Sequence, residues 1–344
     1  MDRLCSVTRL RLLADDLTGA LDSAARFVPL TGVVPTCWKL PADLPQSLAL
    51  DSGTRELDAA DVPAAIASVA PLLDDGDPAF KKIDSLLRGH VVLEIAACAR
   101  RFDHCIVAPA FPFQGRITRN GRQRMRTGSG WRDTGVDLSA AGVRVCDAET
   151  DADLDAVVAA GRSLAGRVLW CGTGGLAAAL AGRVAAPRPC LPRPILALIG
   201  SDHPVSAAQL ATVAGRHHRL PTADVPAIAR SLGAGAAAVS VLLPPGTPRA
   251  AACRDIGHRF ARLLAAIECP GTLFVTGGET LRNLCDALGL QRLDVDGEIE
   301  PGVPTSIMRG GPWDGQRLVS KSGAFGDAGF IARLLGDDCA QGVA

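Results

Sequence analysis

Residues 9–27 read RLRLLADDLTGALDSAARF. The run up to Ala14 is short and apolar-rich, as a strand is, whereas from Leu17 the apolar and small residues recur at helical spacing. Asp15 and Asp16 follow the strand directly, and Thr18-Gly19 opens the helix. The same strand-then-helix pattern recurs outward along the chain. SLALD (47–51) precedes VPAAIASVAPLL (62–73), AFKKID (79–84) precedes HVVLEIAACARRF (90–102), and RVLWCG (167–172) precedes GLAAALAGRV (175–184). VVPTCW (33–38) and HCIVAPA (104–110) add two strands, and DADLDAVVAAGRSLA (151–165) adds a helix. Strands alternating with helices predict an α/β fold with largely parallel sheets and helices on both faces.

The strongest punctuation is APRPCLPRP (186–194), with prolines at 187, 189, 192 and 194. Proline lacks a backbone N–H and cannot sit in a helix interior or a central strand. This stretch therefore reads as a linker between a domain over 1–186 and a second over 195–344. Beyond it the alternation resumes with PILALIGS, SAAQLATVAG, AAAVSVLL, RDIGHRFARLLAAIE, TLFVTGG and ETLRNLCDALG. A length of 344 residues, at roughly 150 per domain, also suggests two domains. Two α/β domains predict a ligand cleft between them, with ligands at the carboxyl ends of strands.

Composition narrows the function classes. A chain 48% hydrophobic and 21% charged is too apolar for a disordered one. Lys+Arg and Asp+Glu are both 36, and a general nucleic-acid or membrane-surface binder would carry a basic excess. Neither partner is expected. Eleven cysteines without a CxxC pair form neither a zinc framework nor a disulfide scaffold, and suit a reducing cytoplasm. The start, MDRLCSVTRLRLLADD, has no long apolar core, and no uncharged apolar run approaches about 18 residues, so neither a secretory leader nor a membrane span is expected. The lack of Tyr removes phenol chemistry.

The stretches just after strands carry the candidate chemistry. Asp15 and Asp16 are carboxylates too close to crowd unless a cation or a hydroxyl ligand uses them; the plain alternative is helix capping by Asp16 or Thr18. In LDSGTR (50–55), Arg55 could clamp a carboxylate, or simply lie in a surface turn. KKIDSLLRGH (81–90) supplies Lys82, Asp84 and Arg88, fit for an acidic polyol, or else a solvated loop. No acidic residue occurs from His104 to Arg132, and Arg116, Arg119, Arg122, Arg124 and Arg126 lie inside that stretch. It is either a local positive field for an anion or a flexible basic loop. In the second domain, strand–Gly200-Ser201, TGGET (276–280) and KSGAFGD (321–327) place glycines where backbone N–H groups could seat phosphate. There is no Walker-type GxxxxGK[ST], no GxGxxG after a strand, no HExxH and no GxSxG.

Taken together, LLADDLTGALDSA, LDSGTR, KKIDSLLRG, APAFPFQGR, IGSDHPVS, TGGET and PGVPTSIMRGGP…LVSKSGAFGD resemble the four-carbon acid sugar kinase family, in family order from residue 12 to 327. The resemblance implies a sugar-acid-binding N-terminal domain, a nucleotide-binding C-terminal domain and ATP-dependent phosphorylation of a terminal (4-) hydroxyl of an acid such as 3-oxo-tetronate, threonate or erythronate. It places Asp15, Asp16, Arg55, Lys82, Asp84 and Arg88 at the substrate; Arg116 is a further candidate there, and Asp16 or Asp84 is expected to act as base or hydroxyl orienter. It places Ser201, Gly277, Gly278, Glu279, Thr280 and Gly323 at ATP. ATP in turn implies Mg²⁺, for which no ligand motif is visible. A homo-oligomer stays an open option. Four features depart from the family pattern: Leu86 and His90 in DSLLRGH, Ile117 after Gly115-Arg116, Ala324 in SGAFG, and a short stretch between Arg126 and Asp147. Two rivals are a non-catalytic sugar-acid sensor of the same fold and a nicotinamide dehydrogenase; the missing dinucleotide fingerprint speaks against the latter.

Overall fold

The computed structural model describes residues 8–336. The chain forms two compact units, Met1–Pro187 and Arg188–Ala344. In the first, the strands are β1 (Arg11–Ala14), β2 (Val34–Cys37), β3 (Leu48–Asp51), β4 (Ala79–Lys82), β5 (His104–Ala108), β6 (Arg116–Arg119), β7 (Arg122–Thr127), β8 (Gly130–Asp133), β9 (Arg144–Val145) and β10 (Val168–Gly172). Its helices are α1 (Leu17–Thr31), α2 (Val62–Val69), α3 (Val91–Ala99), α4 (Asp151–Arg162) and α5 (Gly174–Leu180). Seven strands pair in parallel in the order β2-β3-β1-β4-β10-β5-β9. From β1 the chain builds outward first through β2 and β3 and then, on the other side, through β4. The carboxyl ends of β1 and β4 thus flank the switch point at which open parallel sheets bind ligands.

Alternation along β4 sorts its residues between the two faces of this sheet. Ala79 and Ile83 join the apolar cluster formed with Val62 and Ile66 of α2 and Val91 and Ile95 of α3. Phe80 instead meets Phe27 of α1 edge-to-face, with centroids 5.6 Å apart. The two neighbouring lysines part in the same way: Lys81 reaches Glu94 of α3, while Lys82 lies against the start of α1. The helix read over 62–73 ends at Val69 and continues as 3-10 turns over Ala70–Asp75. Pro71 has no N–H to extend the α-helical ladder.

The acid-free basic stretch is not a loop. It forms a separate antiparallel sheet, β6-β7-β8, whose β6–β7 turn is Asn120-Gly121 with φ of 55° and 70°. Positive φ at both positions is the turn that matches strand twist in a tight hairpin. Buried Gln123 roots this arm. Its amide donates to the carbonyls of Ser85 (3.0 Å) and Pro109 (2.9 Å), and its oxygen accepts from Thr118 Oγ1 (2.9 Å).

The second unit contains β11 (Ile195–Ile199), β12 (His217–Leu220), β13 (Ala236–Val241), β14 (Thr272–Thr276), β15 (Arg292–Glu300), β16 (Val303–Arg309) and β17 (Arg317–Lys321). Its helices are α6 (Pro204–Ala211), α7 (Val225–Gly233), α8 (Arg249–Ala266), α9 (Gly278–Ala287) and α10 (Phe330–Leu335). The strand order is β12-β13-β11-β14-β17-β16-β15, parallel from β12 to β17, with β16 and β15 antiparallel. Here the switch point lies between β11 and β14. Ile195, Ala197, Ile199, Phe274, Val319 and Phe330 centre the core. Among the described residues no helix is long and apolar enough to cross a membrane.

Candidate active site

In the first unit the turns after β1, β3 and β4 bring one arginine among three aspartates. Arg55 Nε and Nη2 grip the two oxygens of Asp15 at 2.8 and 2.9 Å, and Nη1 donates to Asp16 Oδ2 at 2.6 Å. Nη2 also lies 3.6 Å from Asp84 Oδ1. Burial works against the charge on Arg55, but Asp16, Asp15 and Asp84 outweigh it and hold the guanidinium above its ordinary value. Asp16 has a second task. Its Oδ1 accepts from Gly19 N at 2.9 Å and caps α1, and its Oδ2 accepts from Thr18 Oγ1 at 2.8 Å. The capping alternative for Asp16 is thus realised, and the same side chain also pairs with Arg55.

Asp84 is tied more tightly. It accepts from the N–H groups of Leu86 (3.0 Å) and Arg88 (3.1 Å) and from Arg88 Nε (2.9 Å) and Nη2 (2.7 Å). Burial raises its pKa, yet the Arg88 hydrogen bonds and the charges of Arg55, Arg88 and Lys82 carry it well below the usual carboxylate range. Arg116, at the root of the basic arm, feels Asp84 and Arg88, and burial holds its pKa below the ordinary arginine value. Lys82 Nζ donates to Ile83 O at 3.0 Å, and a Cβ at Gly19 would lie 3.1 Å from it.

The structure thus gathers Asp15, Asp16, Arg55, Asp84 and Arg88 into one connected network, with Lys82 and Arg116 in its electrostatic reach. Arg55 is engaged by carboxylates of its own chain. Among the described residues Lys82 Nζ has one hydrogen-bond acceptor, and the Arg88 side chain, though it grips Asp84, is 58% exposed. Beneath the network lies a buried pair: Lys81 Nζ sits 2.6 Å from Glu94 Oε2, and Thr54 Oγ1 donates to Glu94 Oε1 at 2.6 Å. Sequence reading missed Glu94, Thr54 and also Asp22, a buried carboxylate of α1. A charged residue inside an apolar helix pattern is the signal that marks Asp22 and Glu94.

In the second unit the turns after β11, β14 and β17 adjoin through glycines. A Cβ on Gly323 would come within 2.0 Å of Ser201 Oγ, and one on Gly200 within 2.0 Å of Thr280 Oγ1. Gly277, with φ 106°, lies against Gly200 and Thr280. Ser201, Gly277, Thr280 and Gly323 therefore share one place, and Gly278 starts α9 there. Glu279 turns aside to Arg249 Nε at 3.0 Å. α9 opens at Gly277 with no side-chain cap, so its first N–H groups can serve an anion. The buried Thr276 Oγ1 has no hydrogen-bond partner among the described residues. These features fit the phosphates of a nucleotide. Lys321, buried beside them, donates to the carbonyls of Ser322 (3.2 Å) and Phe325 (2.9 Å), and burial lowers its pKa to about 8. Among the described residues no group of three or more His, Cys, Asp or Glu could hold a metal.

Two family models match: a sugar-binding N-terminal domain over residues 10–137 and a nucleotide-binding C-terminal domain over 245–331. A D-threonate kinase of Cupriavidus necator is 33% identical over 399 residues, covering 92% of this chain and 94% of the relative. The chain belongs to the four-carbon acid sugar kinase family. A second family member, a D-threonate kinase of Bordetella bronchiseptica, is 28% identical over 394 residues, covering 94% and 95%. Both alignments are longer than this chain of 344 residues, so these relatives carry insertions that it lacks. A crystal structure of a Salmonella typhimurium LT2 protein shares the fold, with a TM-score of 0.70, 20% identity, and coverage of 94% of this chain and 98% of that one.

Proposed function

We propose that the protein transfers the γ-phosphoryl group of ATP to the terminal hydroxyl of a four-carbon sugar acid, with D-threonate the first acid to test. The near end-to-end likeness to a D-threonate kinase carries this reading. A charged site at the switch point of one unit and an uncapped, glycine-opened helix at that of the other support it.

Phosphoryl transfer is dominated by positioning and charge stabilisation. In this reading Lys82, Arg88 and Arg116 hold the substrate carboxylate and hydroxyls. Arg55 keeps Asp15, Asp16 and Asp84 in place, so that their remaining lone pairs accept hydroxyl hydrogens. The N–H groups of Gly278, Glu279 and Thr280, with Ser201 and Gly323, receive the ATP phosphates. Mg²⁺ would arrive with those phosphates, since it keeps several waters and needs few protein ligands. A cytoplasmic setting suits nine free thiols among the described residues. A non-catalytic sensor is not favoured by the relatives, which are kinases by name.

The test is ATP consumption by the purified protein with D-threonate, D-erythronate and 3-oxo-tetronate. Acid-dependent ADP release is expected with at least one. ATP binding without turnover on any acid would overturn the reading.

A further inference from the structure

Proton transfer is the step the network leaves unassigned. Asp84 accepts four hydrogen bonds, and Asp16 accepts from Gly19, Thr18 and Arg55. Asp84 is held ionised by donors of this chain, which lowers its appetite for a proton, and Asp16 has its oxygens committed to three donors. Asp22 is different. It lies on α1 six residues after the cap, is 8% exposed, and its Oδ1 is buried with no hydrogen-bond partner among the described residues. A buried carboxylate oxygen without a donor is costly to keep ionised. A stable fold keeps such a group when a ligand supplies the missing donor, or when the site uses it.

The start of α5 packs closely against Asp22. Gly174, the first residue of α5, faces it: a Cβ there would lie 3.0 Å from Asp22 Oδ2 and 3.1 Å from the Phe111 ring. Glycine permits this close approach of α5 to the Asp22 carboxylate. The charged groups around it are Arg26 on its own helix, Lys82 at the end of β4, and Asp16 at the helix start. Lys82 acts on both Asp22 and Asp84 and so ties the orphan oxygen to the substrate network.

We propose that Asp22 is the proton acceptor for the substrate hydroxyl, with Lys82 orienting that hydroxyl beside it. The proposal rests on the kinase reading given above. As the hydroxyl oxygen forms its bond to the γ-phosphorus, the bond from that phosphorus to the β,γ-bridging oxygen breaks. ADP leaves with the electron pair, and the hydroxyl proton passes to the Asp22 carboxylate and from there to water. Burial raises the Asp22 pKa, Arg26 and Lys82 lower it, Asp16 raises it, and the balance stands above the ordinary value. A raised pKa is what suits a carboxylate to general-base work near neutrality.

The experiment is a kcat–pH profile of the wild type, Asp22→Asn and Asp22→Glu on the best acid, with ATP-analogue binding measured alongside. A positioned base is worth about 100- to 10,000-fold. Asp22→Asn should therefore lose at least about 100-fold in kcat, keep analogue affinity within about threefold, and lose the acid limb of the wild-type profile. That limb should lie above the ordinary carboxylate range, because the base works only when deprotonated. Asp22→Glu should keep the limb at reduced kcat. If Asp22→Asn does not fold, the wild-type and Asp22→Glu limbs decide. A wild-type profile flat from pH 5 to 8, or an Asp22→Asn variant within about threefold of wild type, would overturn the proposal and leave the kinase reading intact. A wild type that turns over none of the acids would overturn both.

Discussion

The two units use the same position in a parallel sheet, the switch point, in opposite ways. In the first, charged side chains gather there: three aspartates and two arginines from the turns after β1, β3 and β4, with Lys82 from the end of β4. In the second, the turns after β11, β14 and β17 adjoin through missing side chains, at Gly200, Gly277 and Gly323. The contrast follows from the ligands each suits. A small polyhydroxy acid offers few atoms and must be read by directed, charged groups. A phosphate chain presents many equivalent oxygens and is met by backbone N–H groups, which require close approach. The first site is therefore vulnerable to loss of charge, and the second to gain of volume.

The largest break should come at Arg55. Arg55→Met leaves Asp15 buried without its counter-charge, and removing one partner of a buried ion pair costs about 3–5 kcal/mol. Urea unfolding at pH 7 reads this directly. The sign with pH is also fixed. Asp84 has a depressed pKa in the fold, so its stabilising contribution is present above the unfolded value and is lost as pH falls through the carboxylate range. Without Arg55 that depression shrinks, so the gap between variant and wild type should hold from pH 7 to about 4 and narrow as pH falls below the unfolded carboxylate value of 3.8. A gap that widens would contradict the network.

Volume is the matching test for the second unit. In Gly200→Ala the new Cβ would meet Thr280 Oγ1 at 2.0 Å and its Cβ at 2.7 Å, so α9 must shift. Overpacking of this kind costs about 1–3 kcal/mol. Calorimetry should show at least about tenfold weaker binding of an ATP analogue, with acid binding by the first unit unchanged. Equal loss of both would erase the contrast between the units.

A finer probe is Lys321. Its pKa is lowered to about 8 from 10.5 by burial. Between those values the folded protein holds less of this proton than the unfolded chain, so stability should rise with pH across that window, by up to about 1.4 kcal/mol per pH unit. Lys321→Met should flatten the slope, as urea unfolding at pH 8, 9 and 10 would record. The smallest effect serves as a control. Thr150 caps α4 on the surface, accepting from Asp153 N at 3.2 Å. Thr150→Ala should cost about 1 kcal/mol and leave both ligands' affinities unchanged.

Much of this was legible from sequence. Where hydrophobic spacing changes abruptly, as at Ala14–Leu17 or Thr276–Gly278, strand and helix were plain, and the chemistry fell at the junctions. The basic arm offers the sequence only a positive field or a flexible loop, because Arg122, Arg124 and Arg126 share one face of β7 while Gln123 and Thr127 on the other are polar, so no apolar alternation marks the strand. Its Asn120-Gly121 turn was the available signal. β12, α7 and the β15–β16 hairpin also went unread. In the site, residue types were legible and partners were not. Arg55 lies 40 residues from Asp15, and only the order β3-β1-β4 makes them neighbours. Asp22 depended on which way α1 faces, a matter of packing rather than spacing.

Gln123 carries a consequence for how such proteins diversify. Its amide fastens the arm to the carbonyls of Ser85 and Pro109, one residue past Asp84 and one past β5. Everything beyond that fastening, including the wholly exposed β8, can lengthen, shorten or change sequence without transmitting strain to the turn after β4. The arm is thus an extension pinned at one buried amide, and changes in its outer strand need not be felt at the aspartates after β4.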